Sequence, residues 1–179
     1  MKPIFSVHAG ESLAGSQIER QFKQLNVWVP SRDRGIDLLV SDSQNERTLS
    51  FQVKFGKDWL VTHVRPEFQP ALRACGWWTV DPDKLRRSPA DFWVFVSFGF
   101  VGRTKDFVVV PTRELQRRLA AIHGGDKMMY LWVTSREKCW ETRGLRHAEQ
   151  LQIADGRYEN RMRDFSKWLN RWPLARLNV

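Results

Sequence analysis

The stretch from Gly35 to Phe55 constrains the fold more than any other. Leu38, Leu39 and Val40 form an apolar run directly after Asp37, and Leu49 to Phe55 alternates strictly between apolar and polar residues. Both are strand patterns, and the intervening Ser-Asp-Ser-Gln-Asn-Glu-Arg-Thr is loop chemistry. Folding the two strands back about the midpoint of Gln44 and Asn45 sets Asp37 opposite Gln52. Side chains alternate faces along a strand, so Leu49, Phe51, Val53 and Phe55 point to a core while Ser50, Gln52 and Lys54 share the other face. An acid, an amide and a lysine therefore meet on the polar side of a predicted hairpin.

A chain of 179 residues is long enough for one domain with a sizeable core, and its hydrophobic fraction of 42% with nine tryptophans fits a folded globular protein. No apolar run approaches the ~20 residues of a spanning helix. The first residues have no stretch of signal-peptide character, so a cytoplasmic location is expected. Cys75 and Cys139 form no close pair of the kind that makes a zinc knuckle or a redox motif, and both read as ordinary thiols. The formal charge of +9 points to a polyanionic partner, with a solvated basic face as the plainer explanation. The excess is mainly C-terminal: residues 113–179 hold 14 Lys and Arg against 8 Asp and Glu, whereas residues 1–60 hold 8 against 7.

Periodicity predicts a first helix from about Ala9 to Leu25, with Ala14, Ile18, Phe22 and Leu25 on one narrow stripe. Glu11 falls in the middle of that stripe, on the expected first turn, and Glu19 on its shoulder. An acid on a buried face needs a partner, unless Glu11 simply caps the helix N-terminus. A short strand, Asn26 to Pro30, and a turn, Ser31 to Gly35, then return the chain to the hairpin, which makes Glu11 and Asp37 expected neighbours. Glu19 lies about 12 Å further along the helix axis.

Beyond Lys54, Gly56 to Trp59 is expected to break the strand, and a short helix is expected after Pro70 through about Cys75. Trp77 and Trp78 read as strand or core residues, with base stacking as the alternative. Asp91–Phe98 is a nearly continuous apolar strand of the doubly buried kind, and Phe107–Pro111 is another. Thr112 is expected to cap a helix with Leu115, Leu119 and Ile122 inside and Gly124-Gly125 at its end, followed by a strand from Met128 to Thr134. A last helix, about Tyr158 to Trp172, would carry Arg157, Arg161, Arg163, Lys167 and Arg171 around Phe165, Trp168, Leu169 and Trp172. That pattern suits either a phosphate clamp or a surface helix packed by its tryptophans.

The order is a helix with Gly10-Glu11, a strand, Gly35-Ile36-Asp37 opening a second strand, and Gln52-Val53-Lys54 within a third. In these motifs, over roughly residues 8–123, the chain resembles the PD-(D/E)XK nuclease superfamily. The branch is the one in which glutamine replaces the last acid, as in Mrr-like prokaryotic nucleases. The resemblance implies an α/β fold, a restriction-endonuclease-like mixed β-sheet flanked by helices. In a single domain the nuclease-like core would run over about 8–125, and a basic, Trp-rich helical extension over about 126–179. It implies hydrolysis of DNA phosphodiesters in a prokaryotic defence, restriction or mobile-element setting, with a possible homodimer. Asp37, Gln52 and Glu11 would be ligands of Mg2+ or Mn2+, and Lys54 would orient or deprotonate the water. Gln52 leaves two carboxylates where the family usually has three, so the alternative is a catalytically degenerate nucleic-acid-binding module. Arg32, Arg34 and Lys57 on nearby loops, with Arg161 and Lys167, are candidate phosphate contacts.

Overall fold

A computed structural model describes residues 4–31, 34–99, 104–125 and 127–177, with side chains from Ala9 onward. Along the chain these form α1 (Ile4–Gln21), β1 (Asn26–Trp28), β2 (Leu38–Ser41), β3 (Thr48–Lys57), α2 (Leu60–His63), β4 (Leu72–Thr79) and α3 (Pro82–Arg86). They continue with β5 (Phe92–Phe98), β6 (Lys105–Pro111), α4 (Thr112–His123), β7 (Met128–Thr134), β8 (Cys139–Glu141) and α5 (His147–Asp155). The architecture is α/β. One sheet runs β1-β2-β3-β5-β6 and a smaller one β4-β7-β8. In the first, β3 and β5 are parallel and the other neighbours antiparallel.

The hairpin has the register its sequence dictates. Leu38 pairs with Phe51, Leu39 with Ser50 and Val40 with Leu49. Phe51 and Val53 join Ala14, Ile18, Leu38 and Val40 in a core beneath α1, with Leu49 and Phe55 packed against it. β5 is buried on both faces because Phe92, Val94 and Val96 enter that core while Trp93 and Phe95 face the second sheet. There they meet Ala74, Trp78, Met129, Leu131 and Val133. The far face of the second sheet packs Cys75, Trp132 and Trp140 against Val64, Phe68, Ile153 and Tyr158.

α1 begins at Ile4, earlier than expected, so Glu11 lies about two turns in and the dipole of the first turn does not account for it. Of the expected stripe, Ala14 and Ile18 are fully buried on α1 and Glu19 is exposed, but the helix ends at Gln21, short of the expected Leu25, so Phe22 and Leu25 lie beyond it. Gly10 sets the approach of α1 to β3, since a Cβ there would lie 2.8 Å from Phe55 Cβ and 3.2 Å from Val53 Cγ1. Gly10→Ala is expected to destabilise the chain by about 1–3 kcal/mol through overpacking, outweighing a helix-propensity gain of about 1 kcal/mol. Urea denaturation measures this directly.

Four expectations are corrected. β3 continues through Lys57, because Gly56 lets the backbone lie under Trp78, whose Nε1 would be 2.8 Å from a Cβ there. The helix expected through Cys75 is a single 3-10 turn, Gln69–Ala71, followed by β4, whose partner β7 lies far along the chain. Thr112 is the first helical residue of α4 and does not cap it; its hydroxyl donates to the carbonyl of Ala90.

The helix expected over Tyr158–Trp172 is absent; α5 precedes it, and the segment itself is turns and a 3-10 turn, Ser166–Trp168. Arg118 organises this segment. Its Nη1 donates to the carbonyls of Arg161 (2.8 Å), Met162 (2.7 Å) and Asp164 (2.8 Å), groups a helix would have used internally. The guanidinium lies 4.6 Å from the Trp168 ring centre, and its Nε donates to Glu114 at 2.9 Å. Hydrogen bonds from Arg117 and then Arg118 hold the Glu114 carboxyl down at about 2. A carboxyl depressed in the folded state adds stability above its ordinary pKa and loses it as pH falls toward the folded value. Stability measured by urea at successive pH values should therefore fall more steeply from about pH 4.5 to about pH 2 in the unaltered chain than in Glu114→Gln.

Candidate active site

Asp37 stands just before β2, tied to β3 by its backbone N–H donating to Phe51 O at 2.8 Å. Its carboxylate reaches across the hairpin. Oδ2 accepts from Val53 N at 2.7 Å and from the Gln52 side-chain amide. Glycine is required two residues earlier: Gly35 has φ +86°, and a Cβ there would sit 3.2 Å from Pro89 Cδ and 3.8 Å from Gln52 Oε1.

The polar face of β3 is itself covered. Gln52 is 9% exposed and Ser50 8%. Ser50 donates from N (2.8 Å) and Oγ (2.7 Å) to Asp91 Oδ2, and Asp91 N returns a bond to Ser50 Oγ at 3.0 Å, which fixes the start of β5 against β3. Lys54, half-buried, holds its ammonium 5.4 Å from the Trp93 ring centre. The ring is held by Nε1 donating to Ser88 Oγ at 3.1 Å. Glu11 is 9% exposed and follows Gly10, which packs against Val53 and Phe55.

The hairpin thus brings Asp37 and Gln52 into direct contact and sets Lys54 two residues further on the same strand face, while Glu11 is buried on α1, next to the glycine that packs on the Val53 and Phe55 face of that strand. Two carboxylates and an amide carbonyl are the oxygen donors that Mg2+ takes, usually alongside water. Among the described residues no group of three or more His, Cys, Asp and Glu side chains is arranged for a metal.

The candidate phosphate contacts are dispersed. Arg34 is exposed beside Gly35, and Arg32 lies outside the described residues. Lys57 is exposed at the end of β3 with its ammonium 4.2 Å from the Trp59 ring centre. Arg161 and Lys167 are exposed on the C-terminal segment anchored by Arg118, and Lys167 lies 4.3 Å from the Trp168 ring centre. Arg163 turns inward, donating to Glu141 Oε2 at 2.6 Å.

Sequence reasoning missed Asp91, Ser50 and Trp93 as supports of the site. Asp91 directly before a doubly buried strand was the available signal, because a carboxylate there must find donors from a neighbouring strand. The thiols are inert: burial, then the charge of Asp58, pushes Cys75 up to about 12, and burial pushes Cys139 well above its ordinary range. No helix among the described residues is long and apolar enough to cross a membrane. Compared with protein-family models, curated proteins and solved structures, the chain matches none.

Proposed function

We propose that this chain is a metal-dependent nuclease of the PD-(D/E)XK type, hydrolysing DNA phosphodiesters at the hairpin of β2 and β3. The observation that carries this reading is the contact between the Asp37 carboxylate and the Gln52 amide on adjacent strands, with Lys54 on the same face. The order of α1, β1, β2 and β3 and the basic charge of +9 support it further.

Asp37, Glu11 and the Gln52 carbonyl would hold Mg2+ or Mn2+, which when bound supplies a Lewis acid for the phosphodiester. Asp37 is fixed for this by Val53 N, a rigid backbone donor, so the carboxylate needs no reorganisation. Lys54 holds a positive charge on the same face. It orients the attacking water and stabilises the charge that grows on the phosphoryl oxygens. Trp93 keeps the lysine stem in place.

The test is digestion of supercoiled plasmid and of single-stranded DNA by the purified chain with Mg2+, with Mn2+ and with EDTA. Nicking or degradation that needs the metal is the expected result. Salt-sensitive binding with no cleavage under any metal would replace this reading with that of a degenerate binding module.

A further inference from the structure

β3 does not end at the candidate site; three residues beyond Lys54, about 10 Å along the strand, Lys57 begins a row of three rings with a cation at each end. Its ammonium lies 4.2 Å from the centre of the Trp59 ring, and Trp59 stacks on Trp77 at 5.8 Å with 28° between planes. Trp77 pairs with Tyr130 across β4 and β7, so the two side chains share one face of the second sheet. The Arg143 guanidinium closes the row 5.4 Å from the Tyr130 ring centre, with Nη1 3.4 Å from the phenol oxygen.

The row is rigid and open. Trp59 N donates to Cys75 O at 2.7 Å, and Asp58 Oδ1 accepts from Cys75 N at 2.8 Å and Leu60 N at 3.0 Å, which clamps the turn to β4. Trp77 keeps 37% of its surface exposed, which core packing does not account for. An apolar partner would desolvate the cations at both ends at a cost. A strand of unpaired nucleotides satisfies both components, offering bases to the rings and phosphates to Lys57 and Arg143.

We infer that Lys57, Trp59, Trp77, Tyr130 and Arg143 form a track for single-stranded nucleic acid that starts where β3 ends. The inference rests on the nuclease reading only for what the track delivers; binding to it is separately measurable. The experiment is fluorescence anisotropy of a labelled oligodeoxythymidine, and of a duplex of equal length, with the full chain in EDTA. Trp77→Ala should weaken single-strand binding about tenfold, the loss of one base stack, with duplex binding unchanged. Trp77→Phe should restore most of it. Arg143→Gln should lower the slope of log affinity against log salt by about 0.7, one phosphate contact. Melting curves of each variant establish that it is folded.

Unchanged single-strand affinity in folded Trp77→Ala, or equal loss for strand and duplex, would overturn the track. If the strand binds through Trp77 but DNA is cut with neither Mg2+ nor Mn2+, the track stands and the nuclease reading falls. If DNA is cut and Trp77→Ala binds as the unaltered chain does, the track alone falls.

Discussion

Asp37→Asn is expected to slow DNA cleavage by about a hundredfold to a thousandfold while changing the melting temperature little. A metal at such a site supplies several kcal/mol of charge stabilisation, and each ~1.4 kcal/mol is a factor of ten in rate. Asparagine keeps an oxygen acceptor for Val53 N, which now donates to Asp37 at 2.7 Å, so the hairpin should persist. Asp37→Ala would leave Val53 N and the Gln52 amide without that acceptor and add about 1–3 kcal/mol of destabilisation. Lys54→Ala should also suppress cleavage without the same loss of metal affinity, because the role proposed for it lies in the charge that develops during the reaction. Equal digestion by the unaltered chain, Asp37→Asn and Lys54→Ala would identify a contaminating nuclease and remove Asp37 and Lys54 from the proposed mechanism.

The largest effect on stability is expected at Glu141, a fully buried carboxylate on β8. Its Oε1 accepts from Tyr130 N at 3.2 Å and Arg143 N at 3.1 Å, and its Oε2 from Arg163 Nη1 at 2.6 Å. His123 Nε2 is 3.1 Å from Oε1 but outside hydrogen-bonding geometry. Arg163 also donates to the carbonyls of Glu141 and Arg143, at 3.2 and 2.9 Å, so one ion pair ties the second sheet to the C-terminal segment. Removing one partner of a buried pair leaves the other charge uncompensated, at a cost of about 3–5 kcal/mol. Arg163→Met should therefore lower the urea midpoint sharply, and Glu141→Leu together with Arg163→Met should recover part of the loss. Losses that simply add would mean that the two residues act independently.

The contrast between the two halves of the chain shows what a sequence pattern carries. The pairing of Leu38 with Phe51 was legible because period-two alternation and a polar loop fix a local register. The stripe of α1 was legible for the same reason, and it separated buried Glu11 from exposed Glu19. β4 was not, since Pro66 and Pro70 imitate a helix start and its partners on β7 lie 49 to 62 residues further along the chain. The C-terminal error is instructive. Phe165, Trp168, Leu169 and Trp172 have helical spacing, but Asp164 and Leu169 form bridges to Trp140 and Val108, and Arg118 takes the backbone carbonyls. A buried guanidinium from another element overrides local periodicity, and nothing near residue 160 announces it. The candidate site was read from one hairpin, whereas its supports, Asp91, Trp93 and Pro89, come from the next strand and the turn before it.

Mn2+ binding measured by titration calorimetry on the unaltered chain, Asp37→Ala and Gln52→Glu tests the central claim most directly. Glutamate at position 52 would face the Asp37 carboxylate that the amide now contacts, two like charges that favour a cation between them. The account predicts one saturable Mn2+ site in the unaltered chain, its loss in folded Asp37→Ala, and binding at least about tenfold tighter in Gln52→Glu, for ~1.4 kcal/mol of added attraction. Mn2+ affinity that is the same in all three proteins would contradict it.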